Sequence, residues 1–295
     1  MYNILKNIPK NIEKVLKIKK TLDFMLKIVY NYNSRSCVYI TTVCECFLRG
    51  VLMAVYSLSD LHLSLGTDKP MDVFGKGWHN YMERICANWQ NTVFSGDTVI
   101  IGGDTSWAMY LNECYADFKM LNSLNGTKII LKGNHDYWWD SINKMTNYAA
   151  ENGFTTLKFL HNTAYIAENI GIFGTRGWLI PASDNFKQSD RKIYERELVR
   201  LELSYSYLKK LCCDLNIDFS TIKPVAVLHY PPVLKDGTPD DGFAEFFEKN
   251  NIKNCIYGHL HADAALNSFN GTAKGTDYKL VSSDFLEFVP YKLNF

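Results

Sequence analysis

No CxxC pair and no dense, regular run of cysteines occurs in these 295 residues. That excludes a zinc ribbon, a thioredoxin-like redox motif and a disulfide scaffold. The eight cysteines, at 37, 44, 46, 86, 114, 212, 213 and 255, are scattered, and reduced thiols in a cytosol are the simplest reading. Long apolar runs are missing as well. The most apolar piece, Cys37 to Tyr56, is interrupted by Glu45 and Arg49 and is too polar for a membrane span. The lysines near the N-terminus are followed by no clean apolar run and small-residue cleavage site, so no signal peptide is read. A basic body is lacking too. Residues 1–52 hold seven Lys and two Arg against Glu13, Asp23 and Glu45, a net +6, which leaves −5 on the rest of a chain of net charge +1. Residues 53–295 therefore offer no basic face for nucleic acid. Contact with RNA or an anionic membrane surface is arguable only for the N-terminal stretch.

What is present falls into two regions. The first, 1–52, is rich in Lys and Asn, and its apolar positions Ile4, Leu5, Ile8, Ile12, Val15, Leu16 and Ile18 are spaced for an amphipathic helix that Pro9 and the Asn residues weaken. It carries no chemical motif. From Val51 onward strands and helices alternate. Strand-like runs are Val51–Leu58, Asp97–Ile101, Lys128–Leu131, Ala164–Ala167, Ile170–Phe173, Val225–Leu228 and Asn254–Tyr257. Helical spacing covers 76–93, 109–124, 138–152 and, longest, 190–215. Such alternation predicts an α/β core. No internal repeat is visible.

One regularity carries the chemistry. Five apolar runs each end in a short loop bearing Asp, Asn or His: Asp60-Leu61-His62, Gly103-Asp104, Gly133-Asn134-His135-Asp136, His229, and Gly258-His259-Leu260-His261. Five of the seven histidines sit in these loops; only His79 and His161 lie elsewhere. In α/β sheets ligands gather beyond the carboxyl ends of strands, so distant residues converge there. Carboxylate and imidazole suit zinc, iron or manganese, and an Asp can bridge two ions. The glycines at 103, 133 and 258 let the backbone turn between strand and ligand. Side chains two apart on a straight strand face the same way, so Asp-x-His and His-x-His should reach one ion, or two neighbouring ions, without backbone strain. Each piece alone is more often a surface turn; the ordered set is not.

That ordered set resembles the signature of the calcineurin-like metallophosphoesterases over about residues 53–295. The stretches Gly103–Trp107, Gly133–Trp139 and Gly174–Trp178 are similar to a bacterial cytoplasmic branch of uncertain substrate. The resemblance implies a four-layer αββα sandwich of two mixed β-sheets flanked by helices. It implies a first metal on Asp60, His62 and His261, a second on Asn134, His229 and His259, and Asp104 bridging them. His135 matches the family's catalytic histidine. One departure matters. Phosphoprotein phosphatases of this superfamily carry an acid and then an Arg three and four residues after the bridging Asp, where this chain has Trp107 and Ala108. Asp136 also stands where they have Glu. Both differences speak against a Ser/Thr protein phosphatase, and the first leaves His135 without the acid that would orient it.

The implied activity is hydrolysis of a small phosphate mono- or diester by a hydroxide bound to two divalent ions (Mn, Fe or Zn) about 3.5–4 Å apart. His135 would protonate or hydrogen-bond the leaving oxygen. Arg176, in the Gly174–Trp178 loop, is a candidate for binding substrate phosphate bidentately, against the alternative of a surface Arg in a turn. Trp107, Trp138, Trp139 and Trp178 fall near the loops, with core packing their commoner use. The alternative function is a non-catalytic protein-binding scaffold of the same fold. Such scaffolds usually lose ligands, and here every slot is filled. The domain is expected to begin at Met53, and the protein to be cytoplasmic. Residues 1–52 are either a basic extension that docks on an anionic surface or sequence without a folded role.

Overall fold

The computed structural model describes residues 53–69 and 71–294, so the expected basic extension at 1–52 lies outside the described residues. Two sheets organise the rest. Their strands are β1 (Val55–Ser57), β2 (Thr98–Ile101), β3 (Thr127–Leu131), β4 (Leu157–Leu160), β5 (Ala164–Ala167), β6 (Ile170–Thr175), β7 (Lys223–Leu228), β8 (Asn254–Tyr257), β9 (Gly271–Ala273), β10 (Thr276–Leu280) and β11 (Tyr291–Lys292). The first sheet runs β11-β1-β2-β3-β4 and the second β5-β6-β7-β8-β10-β9. Strands β1 to β4 are parallel, as are β6, β7, β8 and β10; β11, β5 and β9 pair antiparallel at or beside the edges. Both sheets are therefore mixed.

The helices are α1 (Tyr81–Thr92), α2 (Tyr115–Ser123), α3 (Ile142–Glu151), α4 (Gln188–Asp214), α5 (Asp241–Lys249) and α6 (Ala262–Leu266). Aliphatic runs such as Val99-Ile100-Ile101 and Val225–Leu228 make strands buried on both faces. Alternate residues then serve different layers. Ile100, Ile129 and Leu131 share one apolar layer with Ile172, Val225, Val227 and Ile256 of the other sheet. Val99, Ile101 and Ile130 point the other way, into a cluster with Ile85 and Trp89 of α1, Phe118 and Leu121 of α2, and Met145 of α3. Phe173, Ala226, Leu228 and Tyr257 do the same with Leu201 and Leu208 of α4 and Phe243 and Phe247 of α5. The result is a four-layer αββα sandwich. Each fully buried aliphatic side chain contributes roughly 1.5–3 kcal/mol, so the three apolar layers hold the strands far more firmly than any surface ion pair does.

Helix limits depart from the expected spans for local reasons. The 76–93 stretch opens as a 3₁₀ turn at Lys76–Trp78, preceded by another at Met71–Phe74, because Gly75 and Asn80 take positive φ (124° and 50°) and interrupt the α-helix. Residues 138–140 stay outside α3. The indole Nε1 of Trp138 donates to Asp136 Oδ1 at 2.9 Å, and Ser141, in extended conformation, caps the helix through Lys144 N. Strand β4 escaped notice because it has four residues with Lys158 exposed.

Register brings the carboxyl ends level. Ser57 pairs with Ile100, Ile101 with Ile130 and Leu131 with Leu160. In the second sheet Thr175, Leu228, Tyr257 and Leu280 stand side by side. Beyond β1 and β10 the sheets touch: Ser59 N donates to Val281 O at 2.8 Å, and Ser283 N donates to Ser59 O at 2.9 Å. Among the described residues no helix is long and apolar enough to cross a membrane.

Candidate metal centre

The loops beyond those level strand ends carry the residues singled out in the sequence. Asp60 and His62 follow β1, Asp104 follows β2, Asn134 to Asp136 follow β3, His229 follows β7, and His259 and His261 follow β8. The expected strain-free continuation of the strands is not what forms. Asp60, His62, Asp104 and His259 all lie in the left-handed region, with φ of 59°, 46°, 50° and 73°. For residues other than glycine that costs on the order of 1 kcal/mol each. Backbone bonds hold the coil in place: Asp60 N donates to Gly103 O at 2.9 Å, His62 N to Asp104 O at 2.9 Å and Leu63 N to Thr105 O at 3.0 Å. The glycines also act differently from expectation. Only Gly103 uses a positive φ, 105°; a Cβ on Gly133 would collide with the Asp104 backbone and carboxylate, and one on Gly258 with Ser59 and Asp60. Two of the three are there for closeness rather than for turning.

All seven expected ligands come together. Donor atoms of Asp60, His62 and His261 lie within 4.8 Å of one another, as do those of Asp60, Asp104 and His229. Asp60 is thus the member common to both groups. Asp104 nonetheless stands between the halves, its Oδ2 lying 3.8 Å from His62 Nε2 and 3.5 Å from His229 Nε2. Asn134 Oδ1 is 2.7 Å from His229 Nε2 and 2.8 Å from His259 Nδ1.

The donor set fits divalent cations. His229 Nδ1 is 3.1 Å from Gly102 O, and donating there leaves the Nε2 lone pair facing the Asn134 oxygen. His261 Nδ1 is likewise 2.8 Å from Asp284 Oδ1, which turns its Nε2 toward Asp60 Oδ1 at 3.4 Å and His62 Nε2 at 3.2 Å. Lone pairs so crowded need cations or protons among them. Burial keeps three imidazoles neutral, as ligands must be: it lowers His62 to about 3, His229 to about 3 and His259 to about 4, against the upward pull of Asp60. Burial also works against protonation of His261, yet its hydrogen bonds to Asp284 and Asp60 carry it up to about 10. Burial alone would raise the Asp60 carboxyl, but the hydrogen bond from His261 and the charges of His261, His229 and His62 hold it well below its ordinary value. Asp104 is pushed far upward by burial and by the neighbouring carboxylates of Asp136 and Asp60. A bound cation would reverse that repulsion.

Two supporting acids went unread in the sequence. Asp136 appeared there only as a departure from Glu. Its Oδ2 accepts from Asp104 N at 2.9 Å and Gly133 N at 2.7 Å, and its Oδ1 from Thr105 N at 2.8 Å, Ser106 N at 3.3 Å and Trp138 Nε1 at 2.9 Å. Asp284 orients His261 and accepts from Ala262 N at 3.0 Å. It lies just past β10, whose sequence Thr-Asp-Tyr-Lys-Leu is too polar to stand out as a buried strand, so no apolar run pointed to it. The serines matter also: Ser59 and Ser282 hydroxyls donate to Asp60 Oδ2, the latter at 3.1 Å, and Ser283 Oγ donates to Asp60 O at 2.6 Å.

His135 sits beside the cluster, its backbone N donating to Asp104 Oδ1 at 2.7 Å. Its ring packs 4.7 Å from Trp107 and 5.8 Å from His62, and its Nδ1 is buried without a partner. That orphaned nitrogen matches the missing acid at position 107. Trp107 stacks on His62 at 4.9 Å and forms a wall of the site. Trp138 is core, Trp139 packs against that core, and Trp178 donates to Asp190 Oδ1 at 3.0 Å. Arg176 shares the rim: its carbonyl accepts from His229 N at 3.0 Å and Tyr230 N at 2.9 Å. Its guanidinium stacks 4.5 Å over Trp178 and lies 3.7 Å from Glu197. His79 is exposed. His161 lines a cavity beside Arg176.

With this geometry in view, a family model described as calcineurin-like phosphoesterase matches residues 53–263. Similar solved structures include a protein of unknown function from Aquifex aeolicus, with 16% identity, 82% of this chain and 96% of that chain covered, and a TM-score of 0.40. A phosphopantetheinyl hydrolase from Mycobacterium tuberculosis gives 14% identity, 81% and 95% coverage and a TM-score of 0.46. A protein from Thermus thermophilus gives 12% identity, 82% and 99% coverage and a TM-score of 0.45. No curated protein matches the chain.

The five hydrogen bonds at Asp136 generate a prediction. Asp136→Asn keeps the volume but aims an amide N–H₂ at groups that are themselves donors, which costs about 1–3 kcal/mol for each one left unpaired. The unfolding free energy should fall by about 2–4 kcal/mol in urea, well above the usual surface-substitution effect. An unchanged urea midpoint would show that Asp136 does not hold the two loops.

Proposed function

From membership of the calcineurin-like phosphoesterase family, to which this chain belongs, we propose that it hydrolyses a small phosphate mono- or diester with the help of two divalent ions, Mn, Fe or Zn. The observation that carries the reading is the convergence of seven ligand-type side chains, drawn from both sheets, with their lone pairs facing inward. Asp60, His62 and His261 would hold one ion, and Asn134, His229 and His259 the other, with Asp104 shared. When bound, the ions would acidify water and offset charge on the phosphoryl oxygens.

The remaining work belongs to the chain. The serines on Asp60 and the backbone donors on Asp136 fix the two carboxyl-bearing loops before any substrate arrives. Trp107 closes one side and limits water around the reacting atoms. His135 is placed to give a proton or a hydrogen bond to the leaving oxygen. With Trp107 where protein phosphatases carry an acid, nothing fixes its Nδ1, which favours a small ester over a Ser/Thr protein phosphatase reaction. Arg176 would meet a substrate anion from the rim. The non-catalytic scaffold is disfavoured because no ligand position is lost. The scattered thiols fit a cytosolic setting. We also propose Met53 as the start of the catalytic domain, supported by Asp97, whose carboxylate accepts from Ala54 N and Phe94 N at 2.8 Å and so fastens the first strand at its beginning.

Three outcomes test this. Asp104→Asn should leave the fold intact while metal content, measured by elemental analysis, drops from two ions per chain to one or none and turnover falls about 100-fold or more. Two retained ions with normal turnover would sink the ligand assignment. His135→Ala should keep its metals and lose about 10²-fold or more in kcat on alkyl phosphates, but much less on p-nitrophenyl phosphate, whose leaving group needs no proton. Equal losses on both would point to phosphate binding instead. A chain beginning at Met53 should be soluble, load two ions and match full-length turnover; if it precipitates or is inactive, the boundary is wrong.

A further inference from the structure

A second group of charges lies along the same rim, where the ends of β3, β4 and β6 meet α4. There a cavity of about 140 Å³ is lined by Lys132, Arg176, Arg196 and Arg200, with Glu197 as its acid. Arg196 and Arg200 stand one helical turn apart on α4 and so share a face. Glu197 is buried at 3% exposure and is fixed by Thr175, whose hydroxyl donates to its Oε2 at 2.5 Å. The other oxygen, Oε1, is approached by Arg176 Nη2 at 3.7 Å, Arg196 Nε at 3.9 Å and Arg200 Nε at 3.7 Å.

Two features go beyond fastening α4 to the sheet. None of the three arginines is within hydrogen-bonding distance of Glu197, so one carboxylate oxygen orders three guanidiniums without satisfying any. In addition, Arg176 Nε is buried without a partner, a condition that costs free energy unless something completes it. Four cations around one acid stand out on a domain whose overall charge is −5. A single ion pair would suffice to dock a helix. An excess of forked donors in a recess is how proteins hold a phosphate.

We propose that this recess is an anion subsite that takes a second phosphate of the substrate, so that the preferred substrates are bisphosphates with a short spacer. The proposal rests on the phosphoesterase reading of the neighbouring centre. The spacing follows from the chain: Lys132 is two residues from Asn134, at most about 7 Å of backbone, and the Arg176 carbonyl is bonded directly to His229 N. One phosphate would sit at the metal centre while the other enters the recess, and Arg176 touches both sites, its carbonyl on His229 N and its side chain lining the recess.

Matched esters test it: butyl phosphate and butane-1,4-diyl bisphosphate, hydrolysed by the full chain loaded with Mn²⁺. They differ only in the second phosphate. The bisphosphate should show kcat/KM at least about tenfold higher, the size of one charge-assisted contact, carried by KM. Arg196→Gln combined with Arg200→Gln should bring the two esters to near parity while butyl phosphate is hydrolysed as before. These side chains are 54% and 32% exposed, so the fold should tolerate the change, and circular dichroism checks that it does. No preference in the unaltered chain, or a preference surviving the double substitution, overturns the subsite. Inorganic phosphate bound with the same loss on substitution, but without a bisphosphate preference, assigns the recess to a free anion and overturns it equally. If neither ester nor p-nitrophenyl phosphate is hydrolysed, the phosphoesterase reading fails. The subsite is then decided by calorimetry with both esters: tenfold tighter binding of the bisphosphate than of butyl phosphate, lost in the double variant, upholds it, and equal binding of the two esters overturns it.

Discussion

Five N–H groups converge on the Asp136 carboxylate, four from the backbone of two different loops and one from the Trp138 indole. The loops after β2 and β3 are already neighbours through strand pairing, and these bonds, with the one from His135 N to Asp104 Oδ1, draw them into contact. A Cβ at Gly133 would strike Asp104, and Asp104 itself is held at a positive φ. The arrangement concentrates negative charge. Burial raises Asp136 to about 6 even though the donors at Gly133, Thr105, Ser106 and Trp138 act to lower it, and its charge presses in turn on Asp104. The same group that shapes the loops therefore prepares a place where a cation is welcome. The shape of the loops and the charge that a cation would meet there draw on one interaction.

In the loop after β1, Asp60 plays the complementary part. It receives the His259 backbone N–H at 3.1 and 3.0 Å and the Ser282 hydroxyl at 3.1 Å, so a residue of the first sheet is satisfied by the loops of the second. Contacts of this kind give the seven candidate ligands a common frame although they are spread over 202 positions, from Asp60 to His261.

Much of this was legible in the chain. Apolar runs ending in Asp, Asn or His identified the strand ends, because strands must be apolar to be buried on both faces and polar residues can return only where the sheet stops. What was not legible has a common physical cause. The left-handed conformations of Asp60, His62, Asp104 and His259 are fixed by tertiary hydrogen bonds; the modest tolerance of Asp and His for that region is too weak to announce them. Asp136 and Asp284 look like ordinary loop acids until their partners, which are mostly backbone N–H groups, are in place. Strand β4 and the 3₁₀ turns before α1 were missed for different reasons: exposed Lys158 breaks the apolar run of β4, and the turns are too short for a period to stand out. The arginines of α4 were indistinguishable from a solvated helix face, since only the fold reveals that one turn of that helix looks into a recess.

The apolar layer between the sheets has a mechanical consequence. Asp60, His62, Asp104 and Asn134 ride on one sheet, and His229, His259 and His261 on the other, so the gauge of the centre is set by whatever separates the sheets. That spacer is made of Ile100, Ile129, Ile172, Val225, Val227 and Ile256. A methyl added or deleted there is felt by two sheets that each carry part of the centre, not by one side chain alone. Ligand separation in this molecule is thus written in aliphatic volume, several residues below the atoms that would touch a metal. Ions bridging the two sheets would act as a rivet across the sandwich, and their loss would be felt first as slackness between sheets, not as unravelling of either one.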